Sequence, residues 1–341
     1  MAREIFHALD EAGPSLKNWL STHSISEQPS LDEILIAEGT PHRQLFILEA
    51  GIAFVEVSHR DGSALRLAEL QAGAMFGEMA FLEERPPVAS VLAGHGCRIR
   101  RISQRSLELA MDNNANLASD LYQLMARKLA LQLQSQNALI HRWPGVSIEP
   151  LRKALVVFAY LAEADVSWLA RHGRPLHLDA DTVLIREGEP VPDLLILLAG
   201  SAQVSMQIDG HQTIVGSSRR GEILGEMSLL GDANRATASV HADGPIDVLR
   251  LSKDLLAEQL EANPGMAARF YRAMAVLLSQ RNRDQLQSHG LAVQSQNAED
   301  NNSDDEDVID FTQMSGITTA GLRFDWLCRN VNLGLQIPGV R

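Results

Sequence analysis

Cysteine is nearly absent. Cys97 and Cys328 are the only two in 341 residues, too few for a disulfide framework and without the spacing of a metal site. Both are expected to be free thiols in a reducing compartment. Long apolar runs are missing as well. The longest, Ala154 to Ala162, covers nine residues before Glu163 interrupts it, too short to span a bilayer. The N-terminus lacks the apolar segment of a secretory signal, so the expected location is cytoplasmic, with no membrane partner. Basic charge is short too: the formal net charge is −13, which argues against nucleic acid, because affinity for phosphate backbones rests on clustered Lys and Arg. No nucleophile, base and orienting group share a motif, and no glycine-rich phosphate loop carries a Lys, so the chain reads as a non-enzyme with no cofactor. His95, His211 and His241 have no ligand-like spacing, and no metal is expected.

What the chain has is a repeat. The segment Leu35 to Gly51, LIAEGTPHRQLFILEAG, returns as LIREGEPVPDLLILLAG at Leu184 to Gly200, 149 residues later. Trp19 and His23 return as Trp168 and His172, Ile102-Ser103 as Leu251-Ser252, and Tyr122 and Met125 as Tyr271 and Met274. A period of this length suits a whole domain and is too long for a solenoid unit. Two domains of this size can each bury their own core.

Within each copy the early part reads as short strands punctuated by Gly. An Asp-Gly pair, Asp61-Gly62 and Asp209-Gly210, marks a hairpin turn in each. The later part changes to helical period: Leu117, Leu121, Leu124 and Met125 make one apolar stripe, and Met266, Phe270, Met274, Leu277 and Leu278 make its counterpart. Between the copies His141-Arg142-Trp143-Pro144-Gly145 stops the first helix. Pro150 then opens a helical pattern through Leu151, Ala154, Leu155, Phe158 and Leu161, with Ser15 to His23 as its shorter N-terminal counterpart. The expected class is α+β: two tandem β-rolls of jelly-roll or double-stranded β-helix type with flanking helices. The expected domains are 1–140, 150–290 and a largely disordered acidic tail, 291–341. Residues 298 to 310 hold seven acidic residues and no basic one. Gly321 to Gln336 could form a short amphipathic helix through Leu322, Trp326 and Val331, to dock on a partner or on the body. Arg100-Arg101-Ile102-Ser103 looks like a basic phosphorylation site, but its duplicate Leu249-Arg250-Leu251-Ser252 marks a strand running into a helix.

One motif in each copy carries chemistry: Phe76-Gly77-Glu78-Met79-Ala80-Phe81-Leu82 and Leu224-Gly225-Glu226-Met227-Ser228-Leu229-Leu230. With the strands Val88-Ala89-Ser90-Val91 and Thr237-Ala238-Ser239-Val240 that follow, the chain resembles the cyclic nucleotide-binding domain family, over roughly residues 15 to 137 and 165 to 287. That family includes bacterial catabolite activators, kinase regulatory subunits and cyclic-nucleotide-gated channels. The resemblance implies that backbone N–H groups at the Gly-Glu turn meet the cyclic phosphate. It implies that the Glu accepts from the ribose 2′-hydroxyl and that an Arg nine residues on pairs with the phosphate. In the first copy that position is Pro87, and Arg85 comes two residues early, so Gly77, Glu78, Met79, Ala80 and Val88 outline a site read as degenerate. In the second copy the expected ligand residues are Gly225, Glu226, Met227, Ser228, Arg235, Ala236 and Thr237. The offset between copies is 148 at Glu78 and Glu226 but 149 at Ala89 and Ala238, so the second loop has gained a residue. Counted from the strand, Ala236 takes the arginine position and Arg235 stands one place early, which leaves open whether it reaches the phosphate.

The resemblance implies a cytoplasmic, non-enzymatic regulator that binds cAMP or cGMP chiefly in the second copy. It would relay binding through its helices to a protein partner, with self-association left open. The arrangement is similar to kinase regulatory subunits, although only about fourteen residues precede the first copy, leaving no room for an inhibitor segment. The alternative is a scaffold whose two pockets bind no cyclic nucleotide. Transcription control is disfavoured, as no helix-turn-helix follows either roll.

Overall fold

A computed structural model of the chain describes residues 7–58, 64–140, 155–208, 211–230, 235–288 and 311–332. The linker segment 141–154, the Asp-Gly turns, the acidic stretch 298–310 and residues 333–341 lie outside the described residues. The first copy runs α1 (Ala8–Glu11), α2 (Pro14–His23), β1 (Ile25–Glu27), β2 (Ile34–Ile36), β3 (Gln44–Ala50), β4 (Ile52–Ser58), β5 (Ala64–Gln71), β6 (Met75–Phe76), α3 (Glu78–Glu83), β7 (Ser90–Ala93), β8 (Arg98–Ser103), α4 (Gln104–Asp112) and α5 (Ala115–Ile140). The second repeats this order as α6 (Val156–Tyr160), α7 (Glu163–His172), β9 (Arg174–Leu178), β10 (Val183–Ile185), β11 (Asp193–Ala199), β12 (Ser201–Ile208), β13 (His211–Arg219), β14 (Ile223–Leu224), α8 (Glu226–Leu230), β15 (Ser239–Ala242), β16 (Ile246–Ser252), α9 (Lys253–Ala262) and α10 (Pro264–Ser288), followed by α11 (Phe311–Asn332).

Each roll consists of two four-stranded antiparallel sheets. In the first copy their orders are β1-β8-β3-β6 and β2-β7-β4-β5. In the second they are β9-β16-β11-β14 and β10-β15-β12-β13, the same order strand for strand. The α+β tandem β-roll reading is therefore what the chain adopts. The cores match at nine positions. Ile36, Phe46, Leu48, Ala53, Phe76, Val91, Ala93, Cys97 and Ile99 fill the first roll, and Ile185, Leu195, Leu197, Ala202, Leu224, Val240, Ala242, Ile246 and Val248 fill the second, joined there by Val191, which stands where the first copy has His42. Cys97 thus stands where the duplicate has Ile246 and serves as a core hydrophobe. Burial pushes its thiol above the ordinary range.

Hairpin register shows where the offset drops to 148. Ser58 pairs with Ala64 across five residues, whereas its equivalent Gln207 pairs with Gln212 across four. The turn itself has lost one. Ser103 and Ser252 end the last strands and accept from the amides of Ser106 and Leu255 at 3.5 Å, capping α4 and α9. The stacked pairs Trp19–His23 and Trp168–His172, with ring centroids 4.9 and 4.5 Å apart, repeat on α2 and α7.

Two expectations are corrected here. By position Ser15 to His23 corresponds to α7, and the helix through Phe158 corresponds to α1. Leu16 and Leu20, four apart, and Leu155 and Phe158, three apart, both mark a helical face, and such spacing does not say which helices correspond. The terminal helix is also longer than expected at its start and shows a different face. Ala320, Phe324, Leu327 and Val331 are buried, while Leu322 is 68% and Trp326 43% exposed. Arg323 donates to the carbonyls of Phe158 and Ala159 at 3.1 and 3.0 Å, satisfying the open C-terminal end of α6. Phe324 meets Phe158 edge-on, with ring centroids 5.0 Å apart.

The residues group into two units, Met1–Leu129 with Leu278–Glu306, and Ala130–Leu277 with Asp307–Arg341. The last turns of α5 and α10 therefore each count with the unit of the other copy. Among the described residues no helix is long and apolar enough to cross a membrane, and no cluster of His, Cys, Asp and Glu could hold a metal ion.

Two solutions to one problem appear at the entry helices. In the first copy Asp120 of α5 accepts from the amides of Ser15 and Leu16 at 2.8 and 3.1 Å, capping α2. In the second, the position of Asp120 is Arg269, and the position of Leu16 is Asp165. Arg269 grips the Asp165 carboxylate at 2.6 and 2.8 Å, and Asp165 itself accepts from the Ala162 amide at 2.8 Å. The carboxylate has moved from the long helix to the short one.

Candidate functional site

Each site is built at a left-handed glycine. Gly77 (φ 91°) and Gly225 (φ 84°) turn the chain out of β6 and β14 into α3 and α8. A Cβ on Gly77 would lie 2.8 Å from the Gln44 carbonyl oxygen, and one on Gly225 would lie 3.0 Å from that of Asp193. Both the backbone conformation and the close approach therefore call for glycine.

In the first copy Glu78 is 3% exposed and one carboxylate oxygen is paired with the Lys128 ammonium from α5. Ala80 is buried, and Met79, Pro87 and Val88 are half-buried. His42 lies under the turn, its Cε1 being 3.2 Å from where a Gly77 Cβ would stand. Burial pushes the His42 pKa down, opposed by a backbone hydrogen bond at Gln44 and by the Glu78 carboxylate. Arg85 is exposed.

In the second copy Glu226, Met227 and Ser228 are buried on α8. Ser228 donates its hydroxyl to the Gly225 carbonyl at 3.0 Å and also contacts the Lys253 ammonium. Lys253 is the first residue of α9 and is 6% exposed. Burial lowers its pKa from 10.5 to about 8, while Glu226 and then Asp193 pull it upward. Arg235 is exposed. Its Nη1 donates to the Gly188 carbonyl at 2.7 Å, and its backbone forms an isolated bridge with Pro190. Ala236 and Thr237 are half-buried on the approach to β15.

The backbone fixes how the two loops correspond. The Pro87 carbonyl accepts from the Gly39 amide at 2.9 Å, and the Ala236 carbonyl accepts from Gly188, the duplicate of Gly39, at the same distance. Ala236 is therefore the structural equivalent of Pro87, and Arg235 that of Pro86. The side chains that sequence reasoning missed are Lys128 and Lys253. Each had a signal. Lys128 interrupts the apolar stripe of α5 where the duplicate has Leu277. Lys253 places a cation at a helix N-terminus, where the macrodipole disfavours it unless carboxylates stand by.

Lys253 predicts a pH effect. Its folded pKa lies below its unfolded value, so between about pH 8 and 10.5 the unfolded chain binds more protons, and stability rises with pH there. The expected gain is on the order of 2 kcal/mol, read from urea midpoints between pH 7.5 and 10. It should be absent in Lys253→Met. Parallel slopes for the two proteins would contradict it.

The cyclic nucleotide-binding domain family matches residues 30–114 and 175–263. A cGMP-dependent protein kinase, egl-4, of Caenorhabditis briggsae is 27% identical over 64% of this chain and 26% of its own length. A cAMP-dependent protein kinase regulatory subunit of Colletotrichum orbiculare is 22% identical over 71% of this chain and 56% of its own length. This chain therefore spans about a quarter to just over a half of these curated relatives. Among solved structures, the regulatory domain of Toxoplasma gondii PKA with cAMP is 18% identical with a TM-score of 0.29, covering 75% of this chain and 93% of that one.

Proposed function

This chain belongs to the cyclic nucleotide-binding domain family, in two tandem copies, and on that footing we propose that it is a non-enzymatic cytoplasmic sensor of cAMP or cGMP whose ligand site is the second copy. The carrying observation is the asymmetry of the loops. After the Gly-Glu turn the second copy offers an exposed guanidinium, Arg235, held at the Gly188 carbonyl, where the first has Pro86 and Pro87. A cyclic phosphate at the start of α8 would draw Arg235 from a neutral carbonyl to a charged partner. Gly225 lets the backbone approach, Met227 and Ser228 line the turn, and Ala236 and Thr237 leave room beside the phosphate. The ribose would compete with Lys253 for Glu226. That competition couples the pocket to the first residue of α9, and the relay to a protein partner would run through α9 and α10.

A second reading is supported by the lysines. The carboxylate of Glu78 is paired with Lys128, and that of Glu226 has Lys253 close by, as in a scaffold that binds no nucleotide. Calorimetric titration of the full chain with cAMP and cGMP separates the two. The sensor reading predicts one site per chain, weakened by one to two orders of magnitude in Arg235→Ala, as expected for a charge-assisted contact of about 1.5–3 kcal/mol. Neither heat nor thermal stabilisation at millimolar nucleotide would decide for the scaffold.

A further inference from the structure

The loop that Pro87 leaves without a phosphate ligand is gripped by another part of the chain. Glu83, the last residue of α3, is half-buried as a residue but its side chain is only 3% exposed, and both its carboxylate oxygens are used by one face of α10. Ser279 donates to Oε1, and Arg283 Nε donates to Oε2 at 2.7 Å. Arg283 then reaches past the helix end into the loop and donates from Nη1 to the Pro86 carbonyl at 3.2 Å. Its side chain is 8% exposed, and Nη2 is buried with no hydrogen-bond partner. One turn of α10 is held in place by Asn282, which donates to the carbonyls of Leu129 and Leu278 at 3.1 and 2.8 Å. From the other side the Gly39 amide holds the Pro87 carbonyl. The segment between α3 and β7 is thus fixed at Glu83, Pro86 and Pro87 by the chain itself.

We propose that Ser279 and Arg283 act as an internal ligand of the first copy: they hold its α3–β7 loop closed without nucleotide, making that loop the receptor for the end of α10. The guanidinium that would meet a phosphate from within the loop is replaced by one that arrives on a helix and meets a carboxylate and a carbonyl. A buried pair of this kind contributes more to fixing one arrangement than to net stability. Its orphaned Nη2 accords with that: position is gained at the cost of a hydrogen bond. Ser279 and Arg283 are positioning residues in this account, and the first copy is a docking module.

The test is hydrogen exchange on the full chain without nucleotide, so its result is separate from the titration above. Wild type should protect the exchangeable amides of this segment, those of Glu84, Arg85, Val88, Ala89 and Ser90, since Pro86 and Pro87 carry none. Arg283→Ala should raise exchange there at least tenfold while β3 and β8 keep their protection. Glu83→Gln, which preserves shape, should do the same and serves where Arg283→Ala fails to fold. Unchanged exchange at 84–90 in the folded variant would overturn the proposal. So would a rise spread evenly over β3 and β8, because that is the mark of a purely structural contact.

Discussion

Replacing Arg269 with alanine is expected to destabilise the second roll by about 3 kcal/mol, because it leaves the Asp165 carboxylate buried without its guanidinium. Asp165 is 3% exposed on its side chain and takes two bonds from Arg269, so the loss is large although Arg269 itself is partly solvated. The first copy shows how to repair it. There Leu16 stands for Asp165, Asp120 for Arg269 and Gly13 for Ala162, and the long-helix carboxylate caps α2 directly. The triple variant Ala162→Gly/Asp165→Leu/Arg269→Asp should therefore return to within about 1 kcal/mol of wild type in urea unfolding. The double variant that keeps Ala162 should not. A Cβ at Gly13 would lie 2.2 Å from the Asp120 carboxylate, and the same methyl at 162 would push the transplanted Asp off the helix end. Equal midpoints for Arg269→Ala and wild type would refute the pairing. Equal midpoints for the double and triple variants would refute the role given to glycine.

The duplicated frame was legible in the sequence because it is written in local terms. Turn glycines, alternating core residues and helical stripes each sit where one strand or helix needs them, and the cores of the two rolls agree at nine positions, departing at Val191, where the first copy has His42. The Gly-Glu turn was legible for the same reason: positive φ and a crowded Cβ leave glycine as the tolerable residue. Counting offsets also located the extra residue in the second loop, and the Gly39 and Gly188 hydrogen bonds place Ala236 opposite Pro87 as that count requires. What stayed hidden is partner choice. Nothing local to Glu78 says that Lys128, fifty residues on, will meet it, nor that Arg283, two hundred residues from Glu83, will cross to the first copy's loop. Such pairings depend on which helix face approaches, and a helical stripe gives a face without naming what it packs against. The same limit explains α11, where Leu322 and Trp326 fit an apolar stripe on paper but the buried stripe is the one through Phe324 and Leu327.

Lys128→Leu should be the most costly single change at the first site, on the order of 3 to 5 kcal/mol, since it strips the ammonium from a carboxylate only 3% exposed. Leucine fits there sterically, as Leu277 occupies the equivalent position in α10, so the loss would report charge and little else. The second copy meets the same need from a different helix: Lys253 begins α9 at the position of Gln104. Gln104 is itself buried and donates to Glu108 at 2.8 Å, so it can give way to an ammonium only if the carboxylate below has lost its own. Gln104→Lys alone is therefore expected to destabilise, by crowding a second cation against Glu78. Combined with Lys128→Leu it should recover at least half of the loss, a coupling of about 2 kcal/mol or more in a double-mutant cycle. Adding Ala80→Ser, to supply the hydroxyl that Ser228 gives Lys253, should bring the recovery closer to complete. Additive losses would mean that the two lysines are not alternative answers to one buried carboxylate, and the electrostatic correspondence between the copies would fall with them.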